Sequence, residues 1–279
     1  MKADLHMHSV YSDGLHTPLE LALRARQVGF DLICITDHDN MGGEEEKRRA
    51  FAQCGIPYIR GWEVSTVSDR KVHVLGYNCS FGKAYDDFLA KRKEEASERV
   101  EQLIQKSNEF FKIDVTMQDV EEECALKGNV LHPMYAVRAV AKRIGRAGNG
   151  IDVFKEFFDK GDPCYVPPKR PTPEEAINVI HELGGVAVLA HPGRMRLYGK
   201  LDLLEGLVKS GIDGIECYYT THTVEETEQY LAFAHKHKLY VTGGSDFHFD
   251  GGKPVFGKPD YTADENFLAR VLPSREAVG

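Results

Sequence analysis

Thr172-Pro173-Glu174-Glu175, leading into Gly184-Gly185-Val186-Ala187-Val188-Leu189-Ala190-His191-Pro192, holds the pattern that decides the fold. Thr172 reads as a helix N-cap and Pro173 as the first helical position, and the periodic apolar residues run on to the glycine pair. Val186–Leu189 is then a short apolar run bounded by Gly and Pro, as a strand buried on both faces requires. A histidine stands at its C-terminal end.

The same unit recurs along the chain. Thr17-Pro18-Leu19-Glu20 opens a helix that ends near Gly29, and Leu32-Ile33-Cys34-Ile35 is the strand after it. Val72-His73-Val74-Leu75, Gly214-Ile215-Glu216-Cys217 and Leu239-Tyr240-Val241-Thr242 are further short strands, and Thr223–His237 is a further helix. Alternation of this kind predicts an α/β fold with a mainly parallel sheet, either a barrel or an open sheet. Residues 82–164 break the rhythm with charged, helix-rich sequence such as Lys91-Arg92-Lys93-Glu94-Glu95. They read as a helical insertion that caps one end of the sheet.

Bulk properties narrow the class. The 279 residues suit one large domain or a domain with an insertion, and 42% hydrophobic with 28% charged residues argues against disorder. No apolar run approaches the roughly 18 residues that span a membrane, and the N-terminus carries no secretion signal, so a cytoplasmic protein without a membrane partner is expected. Cys34, Cys54, Cys79, Cys124, Cys164 and Cys217 form no Cys-x-x-Cys pair and are expected to be free, mostly buried thiols. A net charge of −8 disfavours long duplex nucleic acid and leaves room for a nucleotide or short oligonucleotide held locally.

Histidines and carboxylates gather at the predicted strand ends. His6-Met7-His8 follows the first strand and Asp13 sits in a Ser-Asp-Gly turn; Thr36-Asp37-His38-Asp39 follows Ile35 and Glu63 follows Trp62. His73 lies inside its strand, His191 ends another, and Ser245-Asp246-Phe247-His248 ends the last. Residues i and i+2 of a strand share a side, so His6 with His8 can grip one ion. A single His-x-His arises by chance, and a lone His73 between valines suits a hydrogen-bonded core. Five strand ends carrying such groups in one chain do not, because burying them without a cation costs too much. Imidazole and carboxylate without cysteine suit zinc, manganese or iron.

These motifs resemble the PHP (polymerase and histidinol phosphatase) family over about residues 1–80 and 165–260. The resemblance implies a distorted (β/α)7 barrel formed by residues 1–81 and 165–279, with 82–164 as the helical insertion domain. It implies two or three divalent ions (Mn, Fe or Zn) on His6, His8, Asp13, His38, Glu63, His73, His191, Asp246 and His248, with Glu63 as bridge and Asp246 also catalytic. Asp37 is expected to orient His38 or another ligand. The implied activity is a metal-dependent phosphoesterase in which a metal-activated hydroxide attacks phosphorus. His222, just after Cys217-Tyr218-Tyr219, is the candidate acid for the leaving oxygen.

The helical insertion is similar to that of the subgroup acting on nucleoside 3′,5′-bisphosphates or trimming short 5′-phosphorylated RNA. That subgroup carries an Arg-Pro-His step where this chain reads Leu131-His132-Pro133-Met134, which loses the arginine fork. His132, Lys169, Arg170 and Arg194 are the candidates for a non-reacting phosphate. The departure keeps a second reading, a phosphodiesterase that opens a ribose cyclic phosphate and then releases inorganic phosphate. A C–N amidohydrolase and a non-catalytic PHP module are further alternatives. The complete ligand set argues against the module, and the lack of a matching lysine or His pattern argues against the amidohydrolase.

Overall fold

The computed structural model describes residues 1–67, 71–124, 130–146, 148, 150–251 and 255–272. In chain order the elements are β1 (Lys2–Asp4), α1 (Pro18–Val28), β2 (Leu32–Ile35), α2 (Glu44–Gln53), β3 (Tyr58–Val67), β4 (Lys71–Tyr77) and α3 (Lys83–Phe111). There follow α4 (Met117–Glu123), α5 (Pro133–Arg143), α6 (Ile151–Phe157), α7 (Pro173–Glu182), β5 (Val186–Leu189), α8 (Leu201–Lys209) and β6 (Gly214–Tyr219). The last are α9 (Val224–His237), β7 (Tyr240–Gly244), β8 (Tyr261–Thr262) and α10 (Glu265–Val271). The chain forms two compact units, Met1–Asp86 with Pro171–Gly279, and Asp87–Arg170.

Polar side chains start three helices of the first unit through capping boxes. Thr17 with Glu20, Thr172 with Glu175 and Thr223 with Glu226 each form a reciprocal capping box at the heads of α1, α7 and α9. Each satisfies backbone N–H groups that the helix cannot, worth about 1 kcal/mol apiece. Gly29 ends α1 in the left-handed conformation, at φ 76°.

The strands make one sheet in the order β7-β6-β5-β4-β3-β2-β1-β8. It curls until β1 and the segment beyond it meet β7. Leu5 N–H donates to Gly243 O (3.1 Å), Asp246 N–H to His6 O (2.7 Å), and Met7 bridges Phe247 in parallel. The result is a nearly closed, barrel-like α/β sheet. Closure needs Gly244, since a Cβ there would lie 2.3 Å from the Cβ of His6. Apolar side chains from β1, β2, β4, β5 and α10 fill one core, and those of α1 and α2 pack against β2 in another.

The sheet departs from a plain parallel barrel at two strands. β4 is antiparallel to both β3 and β5, and β8 is antiparallel to β1. A strand buried on both faces has the same apolar composition in either direction, so the residues of β4 do not disclose its sense. As a consequence Glu63 lies mid-strand in a ten-residue β3, and not at a strand end as its sequence context suggests.

The second unit holds most of α3 with α4, α5 and α6, around Val100, Leu103, Val120, Tyr135, Val137, Val140 and Phe158. Its bounds fall a few residues C-terminal of 82 and 164. Among the described residues no helix is long and apolar enough to cross a membrane. All six cysteines are free thiols, five of them buried and Cys54 partly so.

Candidate active site

The loops after β1, β2, β5 and β7, together with β3 and β4, bring the titratable side chains to one place. His6, His8, Glu63, His191 and Asp246 are fully buried. His8 Nε2 lies 3.3 Å from His6 Nε2, 3.2 Å from Glu63 Oε2 and 3.1 Å from Asp246 Oδ1. His38 Nδ1 is 3.1 Å from Glu63 Oε2, while His73 Nδ1 and His191 Nε2 each stand 2.8 Å from Glu63 Oε1. Asp13 Oδ1 lies 3.4 Å from His248 Nε2 and 3.9 Å from His8 Nδ1.

Three overlapping groups have donor atoms within 4.8 Å of one another: His8, Asp13, His38 and His248; His6, His8, Glu63 and Asp246; His38, Glu63 and His73. Glu63 Oε2 and Asp246 Oδ1 are buried without a hydrogen-bond partner although ring nitrogens surround both. Unpaired carboxylate oxygens beside convergent imidazoles are costly unless a cation is bound. The residues present therefore fit a metal centre.

The carboxylates are already set for a cation, whereas two of the histidines must give up a proton to bind it. Burial pushes the Glu63 carboxyl up, but His38, His73 and His6 hold it well below the usual carboxylate range. Asp246 is likewise held well below it against burial, chiefly by the Arg194 guanidinium and His6. Burial opposes the charged form of His8, yet the Asp246 and Glu63 carboxylates close to its ring raise it to about 9. His6 is raised well above its ordinary value against burial by Glu216, Glu63 and Asp246. Burial and the neighbouring His8 lower both His38 and His248.

The backbone is strained where it delivers these side chains. His191 and Asp246 have positive φ, 26° and 54°, as does Asp39 at 54°. Each such non-glycine residue costs of order 1–3 kcal/mol and persists only if its surroundings hold it. They do: His191 N–H donates to Glu216 Oε2 (2.7 Å), and Asp39 N–H to Glu63 O (2.9 Å).

Several residues around the cluster went unassigned in the sequence. Glu216 is fully buried in β6, and His6 Nδ1 lies 3.1 and 3.2 Å from its two oxygens. A carboxylate only accepts, so the proton sits on Nδ1 and the Nε2 lone pair is left for the cluster. The signal was a charged residue inside an apolar strand. Glu216→Ala should lower metal affinity or turnover about 10–100-fold, read by metal titration and phosphate release. Tyr219 donates to Asp246 Oδ2 at 2.8 Å, and the Arg194 guanidinium pairs with the same oxygen, leaving Oδ1 to the histidines. No sequence signal marks Tyr219.

One expected role changes, that of His222, while of its two alternatives Asp37 takes up ligands other than His38. It accepts from Ser9 N–H (2.7 Å), Ser9 Oγ (2.7 Å) and Ser12 Oγ (2.8 Å), so it organises the loop that carries His8 and Asp13. His222 has both ring nitrogens committed: Nδ1 donates to Cys217 O (2.9 Å) and Nε2 accepts from Gly193 N–H (3.0 Å). That geometry braces the turn before Arg194 and leaves no nitrogen for a leaving group.

The four phosphate candidates are not alike. Arg194 is half exposed and reaches Asp246. His132, Lys169 and Arg170 belong to the second unit. There His132 caps α5, its Nδ1 accepting from Met134 N–H at 3.4 Å, and Lys169 is paired with Glu98 at 2.6 Å.

The family model of the PHP domain matches residues 4–142. The 5′-3′ exoribonuclease Rnm of Escherichia coli is 35% identical over 88% of this chain and 84% of its own length. A 3′,5′-nucleoside bisphosphate phosphatase of Chromobacterium violaceum is 33% identical over 90% of both. A phosphoribosyl 1,2-cyclic phosphate 1,2-diphosphodiesterase of Eggerthella lenta is 29% identical over 91% of this chain and 96% of its own. A solved structure from Bifidobacterium adolescentis, described as a metal-dependent phosphoesterase, superposes with a TM-score of 0.86 at 26% identity, covering 97% of this chain and 96% of that one. With the buried histidine–carboxylate cluster, these similarities make the assignment: this chain belongs to the PHP domain family and is a metal-dependent phosphoesterase.

Proposed function

We propose that the enzyme acts on a ribose flanked by phosphates, as at the end of a short 5′-phosphorylated RNA or in a nucleoside 3′,5′-bisphosphate. The observation that carries this reading is the half-exposed Arg194 guanidinium standing beside the buried cluster. A planar fork of N–H donors there suits a phosphate other than the one being cleaved. The similarity to an exoribonuclease and a bisphosphate phosphatase points the same way.

The ligand set in this proposal is His6, His8, Asp13, His38, Glu63, His73, His191, Asp246 and His248. Three overlapping donor groups that meet at His8, His38 and Glu63 favour three ions of manganese, iron or zinc, and Glu63, shared by two of the groups, would help to hold more than one of them. Bound cations supply neutralisation of phosphoryl charge and a water of lowered pKa. The chain's own part is orientation. Glu216 aims His6, Tyr219 and Arg194 aim Asp246, and His222 fixes Gly193 and so the start of the Arg194 turn. A cytoplasmic location belongs to the same proposal, supported by six cysteines that remain free thiols.

The test is inorganic phosphate or nucleotide release by manganese-reconstituted protein, with His191→Ala as control. The panel is a nucleoside 3′,5′-bisphosphate, a 5′-phosphorylated RNA pentamer, a ribose cyclic phosphate and p-nitrophenyl phosphate. Arg194→Ala should raise KM on the bisphosphate by roughly 10-fold or more, the worth of one charge-assisted hydrogen bond. It should leave KM on p-nitrophenyl phosphate, which has no second phosphate, within about threefold, while the loss of its pairing with Asp246 lowers kcat on both substrates alike. Equal effects on KM for both substrates would remove Arg194 from recognition, and turnover of the cyclic ester alone would replace the substrate assignment.

A further inference from the structure

Lys47 lies on α2 within a run of charges, Glu44-Glu45-Glu46-Lys47-Arg48-Arg49, that reads as a solvated helix face. It is nevertheless 1% exposed. Its ammonium stands 2.5 Å from Asp37 Oδ2 and 5.3 Å from the centre of the Tyr11 ring. A buried lysine loses both hydration and rotamer freedom, so its burial at this point needs a compensating partner.

The partner is itself the organiser of a ligand loop. Asp37 receives the N–H and hydroxyl of Ser9 and the hydroxyl of Ser12, which lie between His8 and Asp13. His38 is its chain neighbour. The same loop is clasped from α2 on another side: Tyr11 donates to Glu46 at 2.7 Å, and its ring lies where a Cβ of Gly43 would be. Asn40 Nδ2 donates to both Tyr11 O (3.2 Å) and His38 O (2.8 Å). Among the three donor groups, one consists of His8, Asp13, His38 and His248, and three of its four residues hang from this clasp.

We propose that Lys47 is a positioning residue that tunes one ion site of the cluster, acting through Asp37 on the His8–Asp13 loop and His38. Removing the ammonium leaves Asp37 as an uncompensated buried carboxylate, which draws in water and releases the serines. The other two donor groups take only one member each from this clasp, His8 or His38, and Glu63 and His73 stand on β3 and β4, so both are weakened far less. The proposal rests on the metal-dependent reading of the centre.

The test is calorimetric titration of Mn²⁺ into metal-stripped wild type, Lys47→Met and Lys47→Arg, with melting temperatures measured alongside. Lys47→Met should weaken one class of Mn²⁺ site by at least about 10-fold and leave the remainder within threefold, and Lys47→Arg should recover most of that affinity. Should Lys47→Met not fold, the Asp37→Asn/Lys47→Met double variant removes both charges, and it should fold yet show the same selective loss. An isotherm for Lys47→Met or the double variant that matches wild type, even with a lowered melting temperature, would reduce Lys47 to a stability residue and overturn the inference. Uniform weakening of all sites would overturn it too. Failure of wild type itself to bind Mn²⁺, Zn²⁺ or Fe²⁺ would instead overturn the metal reading on which it rests.

Discussion

Glu63→Gln is expected to reduce phosphate release by about 10³-fold or more and to strip metal from the protein. One Glu63 oxygen lies 2.8 Å from both His73 and His191, and the other lies 3.1 to 3.4 Å from His38, His8 and His6. Glu63 thus has five imidazoles of the cluster within 3.4 Å of its carboxylate. An amide of the same shape keeps the packing of β3 but replaces half of the anionic surface with N–H donors aimed at imidazoles. Cation affinity then falls, and with it several kcal/mol of charge stabilisation of the reacting phosphoryl group. Turnover together with metal content by elemental analysis decides the matter. A variant that keeps its metal and loses less than tenfold in rate would take Glu63 out of the centre of the site.

Chelation should abolish activity reversibly and destabilise the fold. With ions present at about 1,000 times Kd, binding contributes about 4 kcal/mol per site, which corresponds to a melting temperature lower by roughly 10 °C in the stripped protein. The pH dependence has a defined sign. Without metal, His8 is protonated up to about 9, and a ligand imidazole must be neutral, so metal uptake releases protons. Apparent affinity therefore rises with pH through about 9, and His6, also held well above its ordinary value, adds to the release. His38 and His248 are already lowered and add little to this release. The His8 contribution to the stripped fold is fully present below its ordinary 6.5 and is lost as pH climbs through about 9, so chelated protein should soften over that window while loaded protein does not. Calorimetry in buffers of different ionisation enthalpy counts the protons. An affinity flat between pH 6 and 9 would contradict the electrostatics described here.

Read as sequence, the chain disclosed its helix starts, its buried strands and the position of its histidines, because these depend on neighbours only a few residues away. Thr17, Thr172 and Thr223 cap helices through backbone groups three residues on, and Val186–Leu189 is apolar on both faces wherever it lies. The placement of His6, His8, His38, His191 and Asp246 just after strands followed from the same local signals, and so did the idea of one shared site.

What required the folded chain was every property set by partners distant in sequence. The antiparallel sense of β4 comes from its pairing with β3 and β5, which its own residues do not encode. Glu216 meets His6 across 210 positions, Arg194 meets Asp246 across 52, and His222 is claimed by Gly193 across 29. Lys47 looks like surface charge until α2 lays it against Asp37. Local sequence carries propensity and burial pattern; the partner of a buried charge is chosen by the topology that brings two strand ends together, and only the tertiary structure holds that information.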